Sequence, residues 1–240
     1  MSFIDLMSTE RKHFNQLYGV TIGIITNNQD PEKLGRVKVK LPTRFGDEET
    51  DWARIVMPMA GDDRGTFFLP EVDDEVLVMF REGSMREVYI LGSLWNANAK
   101  PPADNADGDN LIKMIRTKGG HEIEFDDTKE EGTITIKSKK AGKVFIDDKN
   151  SVVEVIAHGG TNKMTLNGEK GEITIKCTSK LTLQCGENKL VIDGNGGSIQ
   201  LKSTTSLAVE SVNVDVKGSG AVNVKGEGAA NITGKVVKIN

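Results

Sequence analysis

The chain is poor in the residues that staple small domains together. Two cysteines, Cys177 and Cys185, stand among 240 residues; they are too few for a disulfide framework and lack the companion ligands of a zinc site. Their spacing of eight suits two small core side chains on successive turns of one repeat. No run of 18 or more apolar residues is present that could span a bilayer as a helix. The opening "MSFIDLMSTERKHFNQLYG" carries neither a basic leader nor an apolar stretch with a small-residue cleavage site, so assembly in the cytoplasm without a signal peptide is expected. An excess of positive charge is missing too: 31 Lys and Arg face 35 Asp and Glu, for a net charge of −4. That balance removes any general electrostatic pull toward nucleic acid.

Other absences are confined to one half. All six prolines precede residue 110, and all eight arginines and ten of the twelve aromatics precede residue 121. Beyond that point Phe125 and Phe145 are the only rings, and every basic residue is a lysine. The stretch "WNANAKPPADNADGDN" (95–110) has the small, acidic and proline-rich composition of a linker. The expected organisation is an N-terminal segment over 1–17, a barrel over 18–95, a linker over 96–110 and a repeat domain over 111–240.

What is present in the first half are β-branched runs. "YGVTIGIITNNQDPEKLGRVKVKLP" reads as strand, polar loop, strand, and "WARIVMPMA", "TFFLPEVDDEVLVMF" and "EVYILGSLW" add further short strands. About five or six short strands in roughly 80 residues predict a small closed or Greek-key barrel, because closure removes unpaired sheet edges.

The second half is written in alternating segments such as "TITIKS", "VVEVIA", "KMTLNG", "EITIKC", "KLTLQC" and "SIQLKS", apolar on one face and polar on the other. Each is too short to bury that face alone. At the end the rhythm is strict: Val216, Val224 and Ile232 each precede by two residues a glycine, Gly218, Gly226 and Gly234, at intervals of eight. Self-similarity with no proline and few rings signals a stacked β-helix with a narrow aliphatic core. Glycine at each corner allows a turn where a Cβ would collide or φ must be positive. An octad makes about five residues of strand and a corner, one face rather than a whole coil. Three chains wound on a common axis solve this with closed symmetry; one chain with three octads per coil remains open at this level.

With both halves described, the chain resembles the central spike proteins of contractile injection systems, the baseplate assembly protein V family of contractile phage tails, R-type bacteriocins and extracellular injection particles, and the spike part of type VI valine-glycine-repeat proteins. The resemblance rests on "LGRVKVKLP" (34–42), "GDDRGTFFLPEVDDEVLVMF" (61–80), "VYILGSLWN" (88–96), "TKGGHEIEFDDT" (117–128) and the Val-x-Gly octads. The family usually shows glycine in "PEVGDEV", where Asp73 stands here; aspartate also tolerates the left-handed region. The resemblance implies an all-β fold, with an oligonucleotide-binding (OB) type barrel followed by an intertwined, homotrimeric β-helix. It implies a structural, membrane-piercing spike within a virion or extracellular tail-like particle. Its partners would be a baseplate hub protein above, a small PAAR-type tip protein below, the tail tube indirectly, and a target membrane transiently. No reaction, cofactor, metal or nucleic acid is implied. The gap from Asn96 to Asn110 is too short for the lysozyme domain of some relatives, and the histidines, His13, His121 and His158, make no His-x-His for a tip metal. A separate tip is therefore expected to dock at Ile239 and Asn240, by position.

Rival chemistries are weaker. Alternation sets Glu122, Glu124 and Asp126 opposite His121, so they do not converge as a metal or acid–base cluster, and "DNADGDN" lacks the spacing and terminal glutamate of a calcium loop. Nucleic-acid binding by the barrel could use Phe67, Phe68, Phe80, Tyr89 and Trp95 as platforms, but residues 1–120 carry fifteen basic against nineteen acidic side chains. A receptor- or carbohydrate-binding β-helix fibre would need an aromatic groove that the second half cannot supply.

Overall fold

The structure is a computed structural model that describes residues 19–42 and 49–238, and every regular element among them is a strand. The expected N-terminal segment 1–17 and the expected tip-docking pair Ile239 and Asn240 lie outside the described residues. Among those described, no helix is long and apolar enough to cross a membrane. Two compact units divide the chain, Met1–Gly132 and Thr133–Asn240, so the boundary falls after the stretch 96–110 that composition marks as a linker.

The first unit holds β1 (Val20–Asn27), β2 (Lys38–Lys40), β3 (Arg54–Ile55), β4 (Ala60–Gly61), β5 (Arg64–Gly65), β6 (Glu75–Arg81), β7 (Ser84–Ser93), β8 (Ile112–Arg116) and β9 (Glu122–Asp126). A five-stranded sheet runs in the order β2-β1-β6-β7-β3, antiparallel except for the β3–β7 pair. Register shifts between Ile25 and Asn27, Leu77 and Val78, and Phe80 and Arg81 add local twist, as bulges do where a short sheet curls. Strand alternation fills the interior: Val76, Val78 and Phe80 of β6 meet Val37, Val39, Ile25, Val88 and Ile90. β8 and β9 form an antiparallel hairpin, and from its turn Lys118 reaches back to Glu71 at 3.0 Å.

Two residues fix the barrel loops. Asp30 organises the turn of the connection 28–37 between β1 and β2: its carboxylate accepts the N–H groups of Glu32, Leu34 and Arg36 and is gripped by the Arg36 guanidinium at 2.7 and 2.9 Å. The bidentate pair sits almost enclosed and holds the Asp30 carboxyl far below the usual carboxylate range. Asp73 occupies the turn before β6 at φ 75, and its N–H donates to the Ile25 carbonyl at 2.9 Å. The left-handed geometry that the family's glycine would supply is therefore kept here by an aspartate.

The second unit contains β10 (Thr133–Ser138), β11 (Gly142–Asp147), β12 (Val152–Ala157), β13 (Lys163–Asn167), β14 (Glu172–Lys176), β15 (Lys180–Cys185), β16 (Asn188–Asp193) and β17 (Ser198–Lys202). Nearly every segment expected from alternation is a strand, but the pairing differs from the expectation that neighbours come from other chains. β10 through β14 pair in sequence order as an antiparallel meander, and β15 through β17 form a second one. The reason lies in the connectors, which are short enough for hairpins. In three of them one arrangement recurs: Asp147, Asn167 and Asp193 accept, through Oδ1, the backbone N–H three residues on, at 2.8 to 3.0 Å. The residue after that donor, Ser151, Gly171 or Gly197, is left-handed and redirects the chain into the next strand. Strand starts lie 8 to 11 residues apart, so the strict octad belongs to the last segment only.

Gly23 is packed closely against the barrel core: a Cβ there would stand 2.9 Å from Val78 Cγ2 and 3.3 Å from Leu41 Cδ2. Gly23→Ala is expected to cost about 1–3 kcal/mol through overpacking, whereas Asp73→Gly should stabilise by about 1 kcal/mol by relieving the left-handed backbone. Thermal melting of the two variants should shift in opposite directions.

Candidate functional site

The register of the larger meander sorts its side chains into two unlike faces. On one, Ile136, Val144, Val155, Met164 and Ile175 form a row across five strands, and Ile134, Ile146, Val153, Leu166 and Ile173 form the next. Ten consecutive positions on that face are aliphatic, and no aromatic or charged residue interrupts them. At about 4.8 Å between strands the rows are roughly 20 Å long. The face is uncovered in the single chain; Ile173 is 68% exposed and Ile175 49%. The smaller sheet repeats the pattern with Leu183, Leu190 and Leu201 in one row and Leu181, Ile192 and Ile199 in another. Burying a half-exposed aliphatic side chain yields on the order of 1 kcal/mol, so each chain leaves a large driving force unused, and apolar patches of this extent mark association surfaces.

The opposite face is mostly polar, with Phe145, Val152 and Ile156 among its side chains, and carries an ion pair at its centre. Glu154 accepts Lys163 Nζ at 2.6 Å and Thr165 Oγ1 at 2.8 Å, and these contacts lower its pKa. Asp193 of the smaller sheet is lowered chiefly by Lys180, 2.8 Å away.

After Lys202 the ladder stops. Among the described residues none from 203 to 238 belongs to a strand. Bends fall at Ser219-Gly220, Glu227-Gly228 and Lys235, close to eight apart, so the octad survives as corners without partners for the segments between them. Val216, Val224 and Ile232 are 71%, 76% and 74% exposed. Two of the repeat glycines share an environment, since a Cβ would meet the carbonyl oxygen three residues on, Ala221 at 2.8 Å from Gly218 and Ala229 at 3.2 Å from Gly226, whereas at Gly234 the nearest atom would be the Val236 oxygen at an ordinary 3.5 Å. None of the three has a positive φ. Of the two reasons for a corner glycine, close backbone approach is the one that applies at Gly218 and Gly226.

Other candidates separate rather than converge. Glu122 pairs with Arg116 at 2.9 Å and Asp126 accepts the Thr128 hydroxyl at 2.6 Å; no group of three metal-ligating side chains occurs among the described residues. Phe80 is buried in the barrel core and the Tyr89 ring stacks on Arg54 at 4.9 Å. Trp95 lines an open cleft in which Glu71, Asp74 and Glu75 are balanced by Lys100, Arg116 and Lys118, a mixed lining rather than the basic groove that a nucleic-acid backbone requires. Cys177 and Cys185, expected as core side chains, are both exposed and unbridged in the single chain; they sit at strand ends, where no layer covers them. Sequence reading passed over the Asx turns and Asp30, although Asx followed four residues later by Gly or Ser in "DDKNS", "NGEKG" and "DGNGG" was a visible hairpin signal.

Comparison with known proteins now adds a family. A family model described as the type VI secretion system/phage-baseplate injector OB domain matches residues 21–95. Type VI secretion system spike protein VgrG2a of Pseudomonas aeruginosa is 31% identical over 105 residues, 40% of this chain and 12% of that protein. VgrG1b of the same species is 30% identical over 132 residues, 52% of this chain and 17% of its own length. Spike protein VgrG3 of Vibrio cholerae is 26% identical over 156 residues, 60% of this chain and 15% of the relative. The matched stretches are thus a small part of these much longer proteins.

Gly218→Ala should destabilise the assembled protein by about 1–3 kcal/mol per chain. Gly220→Ala, where a Cβ meets nothing within 4 Å, should stay within about 0.5 kcal/mol. Thermal melting of the pair separates a corner requirement from a general need for flexible glycine.

Proposed function

We propose that this chain, which belongs to the baseplate spike protein V family through its injector OB domain, is the structural spike of a contractile injection system, working as a homotrimer. The observation that carries the reading is the aliphatic face of the second unit, continued by octads that have corners but no ladder partners. Three copies would turn the three faces inward on a common axis, closing a dry aliphatic core and removing lateral edges. Residues 203–238 would then pair between chains as a triple-stranded β-helix, where each corner glycine brings one chain's backbone close enough to continue the next level. Hub and tip partners follow from the family reading, as do assembly within a tail-like particle and transient contact with a target membrane. No reaction is assigned to the chain.

The proposed task is mechanical. A spike pushed through an envelope must carry axial load without buckling, and a prism of hydrogen-bonded sheets around an aliphatic core resists bending in every direction. Separating three interwound chains requires cooperative loss of that core, so resistance to unfolding should be kinetic.

Negative-stain images of the purified chain should show a compact body bearing a thin needle; isolated globular particles would contradict the reading. Within the octads, Val224→Asp would set three carboxylates at one level of the core, at several kcal/mol for each charge, and should abolish resistance to SDS. Asn223→Asp beside it should be nearly silent, and equal effects would overturn the inward assignment.

A further inference from the structure

The hairpin turns of the larger meander alternate between its two lateral edges, and the edges differ in charge. One edge carries the turns 139–141 and 158–162 and the end of β14. Here Lys137 stands opposite Lys143, and Lys163 opposite Lys176, while Lys139 and Lys140 occupy the turn itself. No carboxylate lies in these turns or among the adjoining positions Lys143, Ile156, Lys163 and Lys176 of β11 to β14. Like charges placed directly opposite one another on a sheet are destabilising. The neighbouring central row offers a single carboxylate, Glu154, which is engaged by Lys163 at 2.6 Å, and Lys143 lies over the Phe145 ring at 4.3 Å.

The other edge carries the turns 148–151 and 168–171. Asp147, Asp148, Glu169 and Glu172 lie there against Lys149 and Lys170. Asp147 is committed to the turn through Asn150, but Asp148, Glu169 and Glu172 are exposed. The sheet is therefore a plate with a basic side and an acidic side, its aliphatic rows between them on one face.

We infer that the lysine edge of one copy docks against the carboxylate edge of the next, so that the copies close head to tail around the axis with the same polarity. This rests on the trimer reading and specifies how the copies meet. Heterologous contacts of one kind generate a ring when the rotation closes. With the aliphatic faces turned to the axis and strands running around it, each corner of the ring joins the turn end of one sheet to the opposite turn end of its neighbour. A copy inserted upside down would place lysine beside lysine at one corner and carboxylate beside carboxylate at another. Complementary edges of this kind direct encounter and register more than final affinity, so the edge charges act on assembly, and the aliphatic core holds what they have aligned.

Three variants test this in the full chain: Lys139→Glu/Lys140→Glu/Lys176→Glu on the basic edge, Asp148→Lys/Glu169→Lys/Glu172→Lys on the acidic edge, and the combination of both. Refolding is followed by native mass spectrometry, at about 0.02 M and about 0.5 M salt, because added salt shortens the screening length from about 20 Å to a few ångströms. Each single-edge reversal should slow trimer formation at low salt by about tenfold or more. The combined reversal should restore the rate, and high salt should narrow all the differences. Trimers forming at the parent rate in both single-edge variants would overturn the edge contact and leave the trimer standing, as would a combined variant no faster than either single one. A parent chain that stays monomeric would overturn the trimer reading and the edge contact together. Unchanged assembly with lost binding to vesicles containing an anionic phospholipid would instead place the lysines on an outer, phosphate-facing surface.

Discussion

Everything in the second unit depends on an aliphatic face that one chain cannot cover. β10 to β14 are well formed as strands, and their turns are specified by Asx side chains and left-handed residues. The hydrogen-bonded ladder is thus complete within the chain while the hydrophobic layer is not. A sheet one layer thick has no interior, and domains are stable when two layers close on one core. The larger meander supplies one layer with no helix, sheet or loop of its own residues laid over the aliphatic rows. Among the described residues of this unit none forms that second layer, and in the proposed trimer identical copies would supply it with a face of the same shape and chemistry.

The barrel solves the same problem internally. Its strands curl through three register shifts, and the inward rows from β1, β2, β6 and β7 meet each other. That is why its residues Ile25, Val37, Val39, Val76, Val78 and Ile90 are essentially inaccessible, whereas equivalent alternation in the second unit leaves Ile173 and Ile175 open. The two halves use one strand grammar with different closure. The first curls through register shifts with a tight approach at Gly23; the second keeps an unbroken register through regular hairpins and leaves its face open, and residues 203–238 have no ladder partners. In the proposed spike the barrel would provide a body and the open segment a part completed by further copies.

Much of this was legible in the residues. Alternation located β10 to β17 to within a residue or two, composition separated the halves, and the period of eight singled out Gly218, Gly226 and Gly234. At Asp73 the residues alone did not fix the turn: the resembled family carries glycine there, and the left-handed φ of 75 is seen only in the structure. What escaped was pairing. Alternation states which face a side chain joins but not which strand lies beside it, and that choice is made by turn chemistry at residues such as Asp147 and Asn167 rather than by the strands. The octad reading therefore extended too far toward the N-terminus, into segments where hairpin connectors set the spacing. Asp30 was missed for a related reason: one aspartate in a polar loop gives no periodic signal, and its role emerges only once Arg36 folds back on it.

The direct test of the central claim is the mass of the full-length protein in solution, measured by sedimentation equilibrium at micromolar concentration. A completed aliphatic core predicts a single species of three times the 26.1 kDa of one chain, unchanged on dilution. A stable monomer of 26.1 kDa would contradict the account, because the face formed by Val155, Ile175 and their neighbours would then be open to water.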